Sequence, residues 1–187
     1  MADADVLTGV LARICDTLYL VERIKMLVFD VDGVLTDGTI VVHGDGSESK
    51  AFNIKDGAAI VWAQRVGLSI ALLSARSADA TAVRAAQLGI STIIQGSANK
   101  LAGFDQILSG AGLTDDQVGY MGDDLQDLPV LRRAGFSAAP ADASPEVRAA
   151  VQWISASGGG RGAVRECIEH VLRTQGHWRT AVADFLE

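Results

Sequence analysis

The chain has 187 residues, 49% of them hydrophobic, with a formal net charge of −7 and two cysteines. That length and apolar content suit one folded domain with a substantial core and exclude a disordered linker. The acidic balance argues against a nucleic-acid partner, and an anionic small substrate would need local attraction from a metal or a few basic side chains. The opening stretch, MADADVLTG, lacks a basic segment followed by an apolar one. No apolar run reaches membrane-spanning length, so a cytoplasmic protein with no membrane partner is expected. Cys15 and Cys167 fall in predicted helices and in no metal-type CxxC, which suits free thiols in a reducing compartment.

Apolar residues at Val6, Leu7, Val10, Leu11, Ile14, Leu18 and Val21 have helical spacing and predict a helix over 5–21. The apolar run 26–29 reads as a buried parallel strand that ends in Asp30 and Asp32. A β-hairpin is predicted over 39–54, with strands at 39–42 and 47–54 around the turn Gly44-Asp45-Gly46 and His43, given no role, at its tip. Asp56 is the predicted N-cap of a helix reaching residue 66. Strands at 69–73, 92–94 and 118–121 then alternate with helices at 77–88, 100–111 and 125–133. Strands at 136–138 and 151–154 flank a short helix after Pro145. Gly158 to Gly160 read as a flexible linker before a helix at 163–174 and a helical tail carrying Trp178, which could reach an adjacent site. The alternation predicts an α/β fold, a doubly wound, Rossmann-like parallel sheet covered on both faces. One domain would span 1–187, with 39–54 as a flap in place of a cap domain and 155–187 as linker, last helix and tail.

Two carboxylates one residue apart at the end of a buried strand are costly unless paired or bound to a metal. A hard divalent ion with oxygen ligands, most simply Mg²⁺, resolves their repulsion. Asp30 then suits a nucleophile and Asp32 a general acid and base, the bland alternative being a loop in which Asp32 caps a helix. Ser74, Lys100 and Asp123 also lie at or just past the carboxyl ends of predicted strands, the edge at which open α/β sheets bind ligands. Ser74 can donate to a phosphoryl oxygen, and Lys100 can offset charge on phosphate and on Asp30. Asp123 can complete a metal site with Asp30 and the backbone carbonyl of Asp32, while Asp124 and Asp127 orient the metal or its waters from behind. Each alone could be a helix cap or a solvated loop residue; together they suit phosphoryl transfer, which rests on positioning and charge stabilisation.

The string DVDGVLTDG resembles the first motif of haloacid-dehalogenase-type phosphohydrolases, and the order DxD, Ser, Lys, GDDLQD follows that superfamily's four motifs. From Ile24 to about Gly176 the chain resembles a narrower family, the 3-deoxy-D-manno-octulosonate 8-phosphate phosphatases, which lack a cap domain. AFNIKDG, QGSANK, YMGDDLQDLPVL and GGRGAVRE carry that resemblance together with the DxD string. It implies Mg²⁺-dependent hydrolysis of a small phosphorylated sugar acid through an aspartyl-phosphate, a step toward lipopolysaccharide. Asp30 would be the nucleophile, Asp32 the acid and base, Ser74 and Lys100 the phosphate holders, and Asp123 the further metal ligand. Asn53, Lys55, Asp56 and Gly57 would line the sugar pocket. Arg76 and Arg84 would face the substrate's carboxylate, Arg84 reaching a neighbouring subunit's site. A tetramer built through the hairpin is also implied, and Ile40, Val41, Val42, Phe52 and Ile54 supply an apolar surface for it. The chain departs from the family pattern at Ser74-Ala75-Arg76, where Thr-Gly-Arg is usual, at Lys55, and at Ala58-Ala59. A nonulosonate 9-phosphate phosphatase is the rival enzyme, against which Arg76 speaks. A non-catalytic regulatory or phospho-receiver-like domain is the rival of another class, against which the intact acidic motifs speak.

Overall fold

Strand β1 (Met26–Phe29) is central in the computed structural model, which describes residues 19–186. The helix predicted over 5–21 lies outside the described residues except for its end, where 19–22 are helical; Cys15 also lies outside them. The other strands are β2 (Val41–Val42), β3 (Glu48–Ser49), β4 (Ser69–Leu73), β5 (Thr92–Ile94), β6 (Val118–Met121), β7 (Phe136–Ala139) and β8 (Trp153–Ile154). Six of them form one parallel sheet in the order β5-β4-β1-β6-β7-β8. The chain winds outward from β1 through β4 to β5, then returns to β6 on the other side of β1. The switch point between β1 and β6 is where such a sheet opens a crevice at its carboxyl edge.

The helices are α1 (Ile54–Arg65), α2 (Asp79–Gln87), α3 (Lys100–Ala111), α4 (Leu128–Leu131), α5 (Pro145–Ala150), α6 (Ala163–Thr174) and α7 (Trp178–Ala181). Side chains of a strand alternate between faces, and β1 feeds a core with each. Leu27 and Phe29 join residues of α1, α2 and α6, while Met26 and Val28 join residues of α3, α4 and α5. All four are buried, which is why the sequence there is continuously apolar. On α6, Val164, Cys167, Ile168, Val171 and Leu172 are fully buried in a helical stripe. Each aliphatic side chain so buried contributes about 1.5–3 kcal/mol. Burial pushes the Cys167 thiol up, so it acts there as a small apolar group.

Four expectations need correction. The hairpin strands are two residues each, and Asn53, not Asp56, caps α1: its Oδ1 accepts from Lys55 N at 2.8 Å, and the helix begins at Ile54. Asp56 is buried instead, its Oδ1 accepting from Arg165 N at 2.8 Å and tying α1 to α6. The segment predicted as one helix over 125–133 is a tight 3₁₀ turn, Leu125–Asp127, followed by the short α4. The glycine segment is pinned rather than free. Gly160 N donates to Val34 O at 2.9 Å and Gly159 N to Asp142 Oδ1 at 2.9 Å, and a Cβ on Gly159 would collide with the carbonyl of Gly33. The tail it leads to folds back on its own chain: Trp178 and Phe185 lie 6.1 and 5.5 Å from the Trp62 ring, and Arg165 stacks over that ring at 4.9 Å. Among the described residues no helix is long and apolar enough to cross a membrane.

These contacts separate two glycines of equal composition. Gly159→Ala is expected to cost about 1–3 kcal/mol, as overpacking does. Gly110, inside α3 with open space around it, should gain about 0.5–1 kcal/mol on replacement by Ala. Urea denaturation of the two variants checks this, and a Gly159→Ala protein as stable as the parent would contradict the packing described.

Candidate active site

Asp30 is the first residue past β1, and its N–H donates to Met121 O on β6 at 3.0 Å. The next residues form a single wide turn, closed by Thr36 N donating to Val31 O at 3.0 Å. Thr36 is buried and its Oγ1 accepts from Gly38 N at 3.2 Å. Inside the turn Gly33 has a φ of 95°, which residues with a Cβ resist. A Cβ there would also overlap the Asp123 carboxylate. This glycine therefore lets the loop after β1 press directly on the carboxylate that follows β6.

Lys100, the first residue of α3, points its ammonium into this junction from a helix capped by Asn99. Its Nζ lies 3.0 Å from Asp30 Oδ2 and 2.5 Å from Asp127 Oδ1, and donates to Tyr120 OH at 3.3 Å. Tyr120 OH donates in turn to Asp127 Oδ1 at 2.5 Å. The second oxygen of Asp127 accepts the N–H groups of Asp123 and Asp124, each at 3.2 Å. Burial works against the Lys100 ammonium, but Asp30 and Asp127 outweigh it and hold the group above the ordinary lysine range. Burial pushes Asp30 up to about 6 even against the attraction of Lys100. Burial, with Asp30 and Asp127 adding repulsion, pushes Asp123 up to about 8.

The donor set suits a hard divalent ion. Carboxylate oxygens of Asp30, Asp123 and Asp127 lie within 4.8 Å of one another. Both oxygens of Asp127 are already occupied by hydrogen bonds, whereas Asp123 Oδ1 is buried with no partner. That leaves Asp30 and Asp123 to face a cation, with the backbone carbonyl of Asp32 as the third oxygen expected from the sequence. A cation there offsets the surplus of three carboxylates over one ammonium.

Ser74 is buried at the end of β4, and its Oγ accepts from Arg76 N at 3.2 Å, leaving its hydrogen to donate elsewhere. Arg76 extends from this turn, with Nη2 2.6 Å from Glu48 Oε1 and Nε 3.9 Å from Asp32 Oδ2. Asn53 Nδ2 donates to Gly160 O at 3.2 Å, and the residue helps line a cavity of about 340 Å³ with Asp37, Phe52, Ile54 and Arg161. Lys55 and Asp124 are exposed. Asp56 and Gly57 are buried in the packing between helices, and Arg84, expected to reach a neighbouring subunit's site, is half-buried beside Gly57 with its Nε lacking a hydrogen-bond partner. Asp56 is buried against α6, and a Cβ on Gly57 would overlap the Arg84 guanidinium. Arg84 Nη1 meets Gln87 Oε1 at 3.2 Å. A further cavity, about 460 Å³, opens at the amino ends of the strands beside Arg23, Lys25 and Gln117 and touches none of the residues above.

Sequence reasoning passes over Lys50, Glu48, Tyr120 and Thr36. Lys50 Nζ lies 2.6 and 2.8 Å from the two oxygens of Asp32, with its side chain 1% exposed. The available signal is position: Glu48 and Lys50 are two apart on an extended segment, so they share a face.

Comparison with known proteins places these residues in context. The haloacid dehalogenase-like hydrolase family matches residues 70–166. Over 161 residues, 86% of each chain, the sequence is 40% identical to the 3-deoxy-D-manno-octulosonate 8-phosphate phosphatase of Escherichia coli K12. The structure resembles that of the phosphatase of the same name from Moraxella catarrhalis in complex with a magnesium ion, a phosphate ion and a KDO molecule. There the TM-score is 0.87 with 36% identity, over 90% of this chain and 97% of the other. It also resembles the cobalt-bound deoxy-D-mannose-octulosonate 8-phosphate phosphatase of Haemophilus influenzae, with a TM-score of 0.85 and 36% identity over 90% and 99% of the two chains.

The raised carboxylates set a pH dependence. The folded, metal-free protein keeps protons on Asp30 and Asp123 that the unfolded chain has released, so its stability should fall as pH rises from the ordinary carboxylate value of 3.8 to about 8. A Mg²⁺ held by Asp123 would displace its proton at neutral pH, so the ion's affinity should tighten as pH rises toward 8, with about one proton released per ion at pH 7. Titration calorimetry in buffers of different ionisation enthalpy measures that proton; none released would contradict the assignment of Asp123.

Proposed function

The chain belongs to the 3-deoxy-D-manno-octulosonate 8-phosphate phosphatase family of haloacid dehalogenase-like hydrolases, and we propose that it releases phosphate from that eight-carbon sugar acid in a Mg²⁺-dependent reaction. The observation that carries this reading is the buried Asp30, 3.0 Å from Lys100 and across the switch point of the sheet from Asp123. Asp30 attacks phosphorus as the bond to the sugar oxygen breaks, and Asp32 gives that oxygen its proton. The phosphoryl group then rests on Asp30. Asp32, now a carboxylate, takes a proton from a water that attacks phosphorus, and the bond to Asp30 breaks to release phosphate. Lys100 offsets charge beside Asp30, and the Ser74 hydroxyl donates to a phosphoryl oxygen. Held by Asp30, Asp123 and the Asp32 carbonyl, Mg²⁺ would offset charge on the phosphoryl group. Asp127 sets the positions of Lys100 and of the Asp123 and Asp124 amides.

Arg76 is assigned the substrate's carboxylate. Glu48 takes only one end of its guanidinium, and the remaining N–H groups suit a carboxylate's two oxygens. The relatives named as octulosonate phosphatases favour that substrate over a nonulosonate phosphate. The whole chain is proposed to act as one domain, in the cytoplasm, as a homotetramer built through the hairpin. Val41, Val42 and Ile54, which are 53%, 69% and 81% exposed, support that assembly.

Phosphate release should be measured on octulosonate 8-phosphate, a nonulosonate 9-phosphate and 4-nitrophenyl phosphate, with Mg²⁺ and with a chelator. The first substrate should give the highest kcat/KM, and chelation should abolish turnover. Asp30→Asn should lower kcat on the order of 10⁴-fold or more. Arg76→Ala should lower kcat/KM roughly 10- to 100-fold on the sugar acid, the worth of a charged hydrogen bond, and leave the aryl phosphate nearly untouched. Turnover by Asp30→Asn near the parent's would remove the mechanism. Light scattering should give the mass of four chains, and a monomer fully active on the sugar acid would remove the assembly.

A further inference from the structure

We propose that Lys50 is a positioning residue for the proton transfer, holding the Asp32 carboxyl in its present orientation and off Arg76. The inference rests on Asp32 being the acid and base of the reaction above. Lys50 follows β3, and its ammonium meets both oxygens of Asp32, at 2.6 and 2.8 Å. Its side chain is 1% exposed and that of Asp32 18% exposed. Among the described residues no other group hydrogen-bonds to the Asp32 carboxylate. An ammonium this far removed from water keeps its partner, because separating them would strand a buried charge.

Glu48 makes the arrangement a set of four. It precedes Lys50 by two residues, so the extended backbone presents both on one side. Its Oε1 holds Arg76 Nη2 at 2.6 Å, while Arg76 Nε stands 3.9 Å from Asp32 Oδ2. Cations and anions therefore alternate from Lys50 to Asp32 to Arg76 to Glu48. The register comes from the hairpin, whose ladder pairs Val42 with Glu48 and Val41 with Ser49, and whose turn is closed by His43 N donating to Ser47 O at 2.9 Å.

Without Lys50, the nearest described cation to Asp32 is Arg76. A guanidinium fork favours a carboxylate through two parallel hydrogen bonds, so Asp32 would rotate onto Arg76. Its proton would then be held away from the departing oxygen. In the step at issue Asp32, which takes up a proton from solvent as the phosphate dianion binds beside it, gives that proton to the leaving oxygen, while phosphorus exchanges its bond to that oxygen for one to Asp30. An alkyl oxygen needs that proton to depart, whereas a 4-nitrophenolate does not. Loss of Lys50 should thus show as a dependence on the leaving group, which a merely structural lysine would not produce.

The test is kcat/KM, which reports steps through the first phosphoryl transfer, on 4-nitrophenyl, phenyl and benzyl phosphates. It is run on the parent, Lys50→Met, Lys50→Arg and, as reference, Asp32→Asn. Lys50→Gln replaces Lys50→Met should the latter not fold. Lys50→Met is expected to lose on the order of 100-fold on benzyl phosphate and no more than roughly threefold on 4-nitrophenyl phosphate, the difference being the worth of a positioned general acid. Lys50→Arg should recover most of the loss. If Asp32→Asn shows this dependence and Lys50→Met falls equally on all three substrates, or not at all, the role of Lys50 is overturned and that of Asp32 stands. If Asp32→Asn itself shows no dependence on the leaving group, the acid and base assignment fails, and the role of Lys50 with it.

Discussion

Lys100 stands 3.0 Å from Asp30 and 2.5 Å from Asp127, and all three side chains are almost wholly removed from water. Burying any one of them alone would cost several kcal/mol, so each is tolerable only because the others are there. Tyr120 and two backbone amides complete the shell of Asp127, which spends its charge on holding its neighbours in place. Asp123 receives no such compensation: burial and its carboxylate neighbours hold a proton on it near neutrality, and ionising it gives the cluster a surplus of negative charge. A site of this kind binds what can neutralise it. A divalent cation does so directly, and through it an otherwise repelled phosphate can approach a carboxylate nucleophile.

Holding that surplus in place is a mechanical problem, and the loop after β1 solves it by close packing on three sides. Asp30 is tied to β6 through Met121, the turn is filled by the buried Thr36, and the segment Gly159–Gly160 rests on the backbone of Gly33 to Asp37. The carboxylates thus sit on strand ends clamped from outside, and rigid elements of this sort place catalytic groups more accurately than free loops do.

Much of this was legible in the sequence because two rules act locally. A continuous apolar run ending in polar residues marks a buried parallel strand and its ligand-binding end, which located Asp30, Ser74, Lys100 and Asp123. What was not legible depended on partners far away in the chain. Lys50 meets Asp32 across 18 residues, from a hairpin whose two-residue strands are too short to show an alternating pattern. Within the string AFNIKDG, Asn53 both caps a helix and lines the cavity beside Arg161, while Asp56 ties that helix to α6 and Gly57 makes room for Arg84. Residues fixed by packing and residues fixed by chemistry look alike in a motif. Gly158 to Gly160 misled for a related reason: glycine serves flexibility in one setting and close backbone approach in another, and composition does not tell them apart.

The hairpin joins these two levels. Its inward residues, Glu48 and Lys50, occupy Arg76 and Asp32, while Val41 and Val42 on the facing strand are exposed to solvent. The element is only two residue pairs wide, and an isolated hairpin is marginally stable in water at best. The charge pairs it makes with the body of the protein therefore hold it as much as it holds them. In the assembly proposed above, a neighbour covering the exposed Val41 and Val42 would exclude water from around the same element and strengthen its charge pairs through a lower local dielectric. Order at the acid and base and order at the subunit contact would then rise together, through an element too short to supply either alone.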